Sequence, residues 1–193
     1  MKIIFATNNK NKVEEIKHLS HQKFEIFTLQ EVGIDIDIPE PHDTLEANAT
    51  EKSTTIYKLT NEAVFSEDTG LEVEALNGAP GVKSARYAGE ERNMQDNIDK
   101  LLAELKDKPT RAAQFRTVVS LIIGGKEYQF EGICKGHITH EMDGTNGFGY
   151  DPVFIPEGSN NTFANMDIAE KNKFSHRKKA VQQLIDFLNE YQA

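Results

Sequence analysis

Two residues, Gly124-Gly125, separate two long runs of strand-forming residues, 113–123 (Ala-Gln-Phe-Arg-Thr-Val-Val-Ser-Leu-Ile-Ile) and 126–139. A two-residue Gly-Gly link between β-rich runs admits a tight hairpin and little else, because its backbone must turn through positive φ. Both arms are long, and the hairpin is expected as an arm of a mixed sheet. Around it, helical and strand periods alternate toward both ends of the chain. Ile3-Ile4-Phe5-Ala6 and Phe24-Glu25-Ile26-Phe27-Thr28 read as strands, with a helix between them from Val13 on a stripe of Val13, Ile16 and Leu19. Glu14 and Glu15 are expected in that helix's first turn. Ile34-Asp35-Ile36-Asp37-Ile38 alternates strictly and is expected as a strand ending at Pro39-Glu40-Pro41. Thr44 is a candidate N-cap for a helix over about 45–60, with Leu45, Ala49, Ile56 and Leu59 inward and Lys52 on a side face. Asn93 can cap another, striped by Ile98, Leu101, Leu102 and Leu105. The pattern predicts an α/β fold on a mixed sheet, with two lobes around a cleft and no linker between them.

At 193 residues, with 38% apolar and 27% charged side chains, the composition is that of an ordinary globular domain, here a single one over 1–193. A net charge of -9 argues against a nucleic-acid polymer as partner but leaves room for a small polyanion held by local cations. The one cysteine, Cys134, excludes an internal disulfide framework and a Cys-based zinc cluster. The apolar run Ile3–Phe5 is too short for a signal peptide or a membrane span, so a cytoplasmic protein is expected.

Polar constellations interrupt these elements. Thr7-Asn8-Asn9-Lys10-Asn11-Lys12 lies where a strand hands over to a helix amino terminus. That is a ready phosphate site, and equally an ordinary capped turn. Ala63-Val64-Phe65 reads as a strand that breaks at an acidic turn, Glu67-Asp68-Thr69-Gly70, and resumes as Leu71-Glu72-Val73-Glu74-Ala75-Leu76. Adjacent carboxylates there suit a hard divalent cation, or form an acidic hairpin loop. Glu40, set between prolines, is a stiff mount for a ligand or a solvated edge residue. In Asp143-Gly144-Thr145-Asn146-Gly147-Phe148-Gly149-Tyr150-Asp151-Pro152, glycines let the backbone approach a flat ligand. Phe148 or Tyr150 then offers a ring face, or both rings return to the core. Ser175 is expected to cap a helix that buries Ala180, Leu184, Ile185 and Leu188, which puts His176 and Arg177 in its first turn. Cations are unfavourable at a helix amino terminus, so His-Arg there calls for an anion or an electron-rich carbonyl.

Taken in order, Thr7-x-Asn9-x-x-Lys12, Glu67-Asp68-Thr69-Gly70-Leu71, Gly78-Ala79-Pro80-Gly81-Val82 with Ser84-Ala85-Arg86-Tyr87, Phe148-Gly149-Tyr150-Asp151-Pro152 and Ser175-His176-Arg177 resemble the inosine triphosphate pyrophosphatase (HAM-type) family. The resemblance runs from residue 3 to about 180. It implies two α/β lobes around a long mixed sheet with a central nucleotide-binding cleft, and a homodimer. It further implies Mg²⁺-dependent hydrolysis of ITP, dITP or XTP to the monophosphate and pyrophosphate, which clears deaminated purines from the nucleotide pool.

By position, the resemblance makes Asp68 the catalytic acidic residue and pairs it with Glu40 as metal ligand. Thr7, Asn8, Asn9, Lys10, Asn11, Lys12 and Lys52 would hold the triphosphate, and Thr69 would touch the substrate. Phe148, Gly149, Tyr150, Asp151, Lys171, His176 and Arg177 would form the nucleoside pocket. Glu67, Thr69, Asn8, Ala47 and Asn165 depart from the residues commonest in bacterial members. Two alternatives remain: a nucleotide hydrolase of different base preference, and a catalytically silent nucleotide-binding module.

Overall fold

The computed structural model describes residues 1–19 and 24–191, apart from the side chain of Leu19. Among them are seven strands and five α-helices, in the order β1 (Lys2–Phe5), α1 (Lys10–Leu19), β2 (Glu25–Thr28), α2 (Leu45–Thr60), β3 (Val64–Val73), β4 (Pro80–Gly81), α3 (Met94–Glu104), β5 (Ala112–Ile123), β6 (Lys126–Ile138), β7 (Phe154–Pro156), α4 (Ile168–Lys171) and α5 (His176–Glu190). One mixed sheet runs β2-β1-β3-β5-β6-β7, with β4 paired to β3. β1 is parallel to β2 and β3, whereas β4 and β7 run antiparallel to their neighbours. Gly124 and Gly125 both take positive φ, 57° and 76°, as the two-residue hairpin requires. No helix among the described residues is long and apolar enough to cross a membrane.

The chain divides into two compact units. The first holds 1–68, 117–132 and 177–193, and the second holds 69–116 and 133–176. In the first unit, strand alternation sends side chains to two cores. Ile3, Phe5, Phe65, Val119, Leu121 and Ile123 meet Ile16 of α1 and Ala180, Leu184 and Leu188 of α5. Ile4, Ala6 and Val64 meet Ile56 of α2 on the other face. Phe5 and Phe65 stack at 4.5 Å. In the second unit, Ile98, Leu101 and Leu105 of α3 pack with Leu71, Val73, Phe115 and Phe154.

Several local expectations are corrected. β3 is one unbroken strand through Glu67–Gly70, not two strands about an acidic turn, and residues 74–76 form a 3₁₀ turn. Residues 34–38 keep their alternation, with Ile34, Ile36 and Ile38 half-buried and Asp35 and Asp37 exposed, but they form no strand. The isoleucines line one side of a core without joining the sheet's ladder. α1 starts at Lys10 rather than Val13, because Asn9 is its cap: Oδ1 accepts from the backbone N–H groups of Asn11 and Lys12. Glu14 and Glu15 therefore lie beyond the first turn. Leu59 is 62% exposed, not inward. The caps at Thr44 and Asn93 form as read, accepting from Ala47 N–H and Asp96 N–H.

Candidate active site

The continuity of β3 decides the geometry. With a period of two, Ser66 and Asp68 point to the face covered by α2, and Phe65 and Glu67 to the face covered by α1 and α5. Two adjacent carboxylates thus enter two different environments.

On the α2 face, the Lys52 ammonium donates to Asp68 Oδ1 at 3.1 Å and to Glu40 Oε1 at 2.6 Å. Lys52, expected on a side face, is only 7% exposed, and Asp68 only 6%. One turn earlier on α2, Asn48 is 1% exposed and donates to Asp68 Oδ2 at 3.4 Å. Its amide also pairs with the backbone of His42 in both directions, Nδ2 to the carbonyl and Oδ1 from the N–H. This ties the turn that carries Glu40 to the same helix. Asn48 was missed in the sequence, although its four-residue spacing from Lys52 puts both on one helix face. Burial raises the Asp68 carboxyl above the ordinary aspartate value, and Glu40 adds to that, against the pull of Lys52 and Lys12. Burial opposes the Lys52 charge, but Asp68 and Glu40 outweigh it and hold its pKa above the ordinary lysine value. Burial thus sets the direction for Asp68, and the two carboxylates sharing one ammonium set it for Lys52. The donor set is oxygen without sulfur or imidazole, which fits a hard divalent cation. Among the described residues, no three His, Cys, Asp or Glu side chains gather as a ligand cage. Such a cation would therefore complete its shell from water and phosphate.

On the other face, Glu67 is 1% exposed, and its Oε1 takes Lys12 Nζ at 3.2 Å and Arg177 Nε at 3.0 Å. Arg177, also 1% exposed, donates through Nη1 to Glu15. Burial opposes the guanidinium charge, but Glu67 and Glu15 raise its pKa above even the usual arginine value. The anion demanded by a cation in the first turn of α5 is thus supplied within the chain. Glu15 was also missed; its signal was the three-residue spacing from Lys12 on α1.

The remaining residues of the 7–12 turn sit nearby in the chain but do different things. Thr7 Oγ1 accepts from Asn9 N–H, and Asn9 caps α1. The Asn8 amide donates to the carbonyl of Ile36 at 2.8 Å. Lys10 and Asn11 are exposed. Thr7, Asn8 and Lys10 open on a cleft of about 550 Å³ along α1.

The second unit gathers the aromatic constellation. Asp151, 3% exposed, accepts from Phe148 N–H at 3.0 Å and from Lys171 Nζ at 2.7 Å. Gly147 makes this possible: φ is +75°, and a Cβ there would collide with the Asp151 carboxylate. Lys171 Nζ lies 5.2 Å from the ring centres of Phe148 and of Phe163. His176 stacks on Phe115 at 4.7 Å, with planes 14° apart. Tyr150 returns to the core, 3% exposed, with its hydroxyl on the carbonyl of Ser84, whereas Phe148 remains half-exposed. Of the two rings, Phe148 is the one able to offer a face. Gly149 takes positive φ between them, and Thr69 is half-buried on β3 directly after Asp68.

Comparison with known proteins gives a consistent picture. The Ham1 family model matches residues 3–187. A dITP/XTP pyrophosphatase of Flavobacterium johnsoniae is 50% identical over 188 residues, covering 97% of this chain and 98% of its own. One from Porphyromonas gingivalis is 52% identical over 188 residues, covering 97% of each chain. Among solved structures, the Staphylococcus aureus Ham1 protein superposes with a TM-score of 0.89 at 38% identity, over 98% of both chains.

Proposed function

Because the chain belongs to the Ham1 family, we propose that it is a nucleoside triphosphate pyrophosphohydrolase acting on dITP, ITP and XTP. Water adds across the anhydride between the α- and β-phosphoryl groups, and the products are the monophosphate and pyrophosphate. The observation that carries this reading is the buried Asp68 carboxylate, which shares the Lys52 ammonium with Glu40. Asp68, with its raised pKa, orients the attacking water and accepts its proton. Lys52 holds both carboxylates in place and offers positive charge to the phosphates. Glu40 and Asp68 would hold Mg²⁺, which would neutralise phosphate charge when bound. Thr7, Asn8, Asn9, Lys10, Asn11 and Lys12, at the head of α1, serve the triphosphate, and Thr69 touches the substrate.

Phe148, Gly149, Asp151, Lys171 and His176 serve the nucleoside; Tyr150 and Arg177, expected with them, are buried with partners inside the chain and act through the fold. Hypoxanthine and xanthine present an acceptor oxygen at the 6-position, where adenine presents an amino group. The Lys171 ammonium, held by Asp151, gains a further acceptor from the first and faces a donor in the second, a difference of about 1–3 kcal/mol. Phe148 offers its ring face, and Asp151 fixes both it and Lys171. Glu67 and Glu15 hold Arg177 in a set orientation. The reading also includes a purine nucleoside triphosphate as the small-molecule partner, a homodimeric assembly and a cytoplasmic location.

Incubation with Mg²⁺ and, separately, ITP, XTP, ATP and GTP, followed by product analysis, tests the proposal. Rapid release of pyrophosphate and monophosphate from ITP or XTP, with slow release from ATP, is expected. Orthophosphate release would overturn the reaction, and equal cleavage of all four would overturn the selectivity.

A further inference from the structure

The contact between α2 and the sheet is not made of hydrocarbon alone. Ser66, two residues before Asp68 on the same face of β3, is fully buried and donates to the carbonyl of Ala49 at 2.5 Å. Ser53 of α2 and Ser120 of β5, both fully buried, lie hydroxyl to hydroxyl at 2.7 Å. Ser120 donates to Glu127 Oε1 at 2.7 Å. Ser53 Oγ also lies 3.1 Å from the carbonyl of Thr50, so its one proton is divided between that carbonyl and Ser120; with Ser120 donating to Glu127, the shorter contact runs Ser53 to Ser120 to Glu127. The same carboxylate oxygen accepts from Thr50 Oγ1 at 2.6 Å and from Gln129 Nε2 at 3.1 Å, and Gln129 also donates to Thr50. Glu127 thereby grips α2 at Thr50 directly and at Ser53 through Ser120, on either side of Lys52 in sequence.

Apolar contacts are non-directional and let a helix slide, whereas hydrogen bonds fix direction and distance. The reach of Asn48 makes small slips consequential. Its amide meets Asp68 at 3.4 Å, the outer edge of a hydrogen bond, so a further displacement of α2 by a fraction of an ångström loses it. We propose that Glu127, acting through Thr50, Ser120 and Ser53, is a positioning residue that sets α2 along the sheet and so aligns Lys52 and Asn48 with Asp68. The inference rests on the reading of Lys52 and Asp68 given above, and extends it to a carboxylate that meets neither.

The test is Glu127→Leu, with Ser120→Ala as a smaller lesion in the same relay should the first not fold. Steady-state kinetics on ITP are combined with NMR of ¹⁵N-lysine-labelled protein, in which the Lys52 and Lys171 ammonium signals are assigned by substitution. Expected are a fall in kcat of about tenfold with little change in KM, and a displaced Lys52 signal beside an unmoved Lys171 signal. Glu127→Gln, which keeps an acceptor oxygen, should retain most of the turnover. In a Lys52→Met background, Glu127→Leu should cost nothing more. An unmoved Lys52 signal, or effects of the two substitutions that multiply, would overturn the proposal. A displaced Lys52 signal in a protein that hydrolyses none of the four nucleotides would retain the positioning link and sink the functional reading instead.

Discussion

Glu67 and Asp68 are neighbours on one strand, yet the charge clusters built on them are of opposite kinds. Behind Glu67, two cations, Lys12 and Arg177, meet two carboxylates, Glu67 and Glu15. Behind Asp68, a single ammonium, Lys52, is divided between two carboxylates, and the Asp68 pKa rises. A balanced cluster holds its members in their charged forms and locks the elements that carry them. An acid-rich one leaves a carboxylate that gains by taking a proton or a further cation, which is what a hydrolytic site needs. Strand alternation alone sorts the two.

The sharpest way to break the comparison is to remove the central cation of the balanced side. Arg177→Met leaves Glu67 and Glu15 buried around an apolar side chain, and stability should fall by about 3–5 kcal/mol in urea titration. A loss below about 1 kcal/mol would show that the cluster does not lock α5 to β3. Next in size, Asp68→Asn on the acid-rich side should cut turnover of ITP by at least about a hundredfold, while the urea midpoint stays near that of the parent. Near-normal turnover in that variant would remove Asp68 from the mechanism and make the two clusters alike.

The same contrast explains which parts of the molecule were legible in the sequence. The Gly-Gly hairpin, the caps at Thr44 and Asn93 and the stripe of α3 rest on local rules, and they stand as read. The acidic stretch of β3 does not, because Glu-Asp-Thr-Gly has the local preferences of a turn. As a strand it meets partners distant in sequence on opposite faces, Lys52, 16 residues from Asp68, and Arg177, 110 residues from Glu67. Composition and spacing name the candidate residues but not their neighbours. Arg177 was expected beside an anion or an electron-rich carbonyl and meets Glu15 and Glu67. Tyr150 was a candidate ring face and lies in the core. Asn48 has no motif of its own, and only its place one turn from Lys52 hinted at it.

The second unit offers a third kind of charge pair, one cation and one carboxylate, in Lys171 and Asp151. Here the expected effect is on selectivity. Lys171→Met should lower the preference for ITP over ATP by about tenfold, the scale of one buried donor. The measurement is kcat/KM for both nucleotides. A loss shared equally by ITP and ATP would assign Lys171 to folding of the Phe148 loop instead of to the 6-oxo group.

The smallest effect concerns Glu127, whose partners are hydroxyls and an amide rather than cations. Burial raises its carboxyl, but hydrogen bonds from Thr50, Ser120 and Gln129 outweigh that and hold its pKa below the ordinary glutamate value. A carboxylate with a lowered folded pKa stabilises the fold above its unfolded value and loses that contribution as pH falls through the folded value. The parent protein should therefore lose stability between about pH 5 and pH 3 more steeply than Glu127→Gln, which cannot titrate there. Glu127 is exposed, so solvent weakens the effect, and urea midpoints at pH 7 and pH 4 for both proteins are needed to resolve it. Parallel losses would show that the hydroxyls grip Glu127 no better than water does, and would leave α2 seated without help from Glu127.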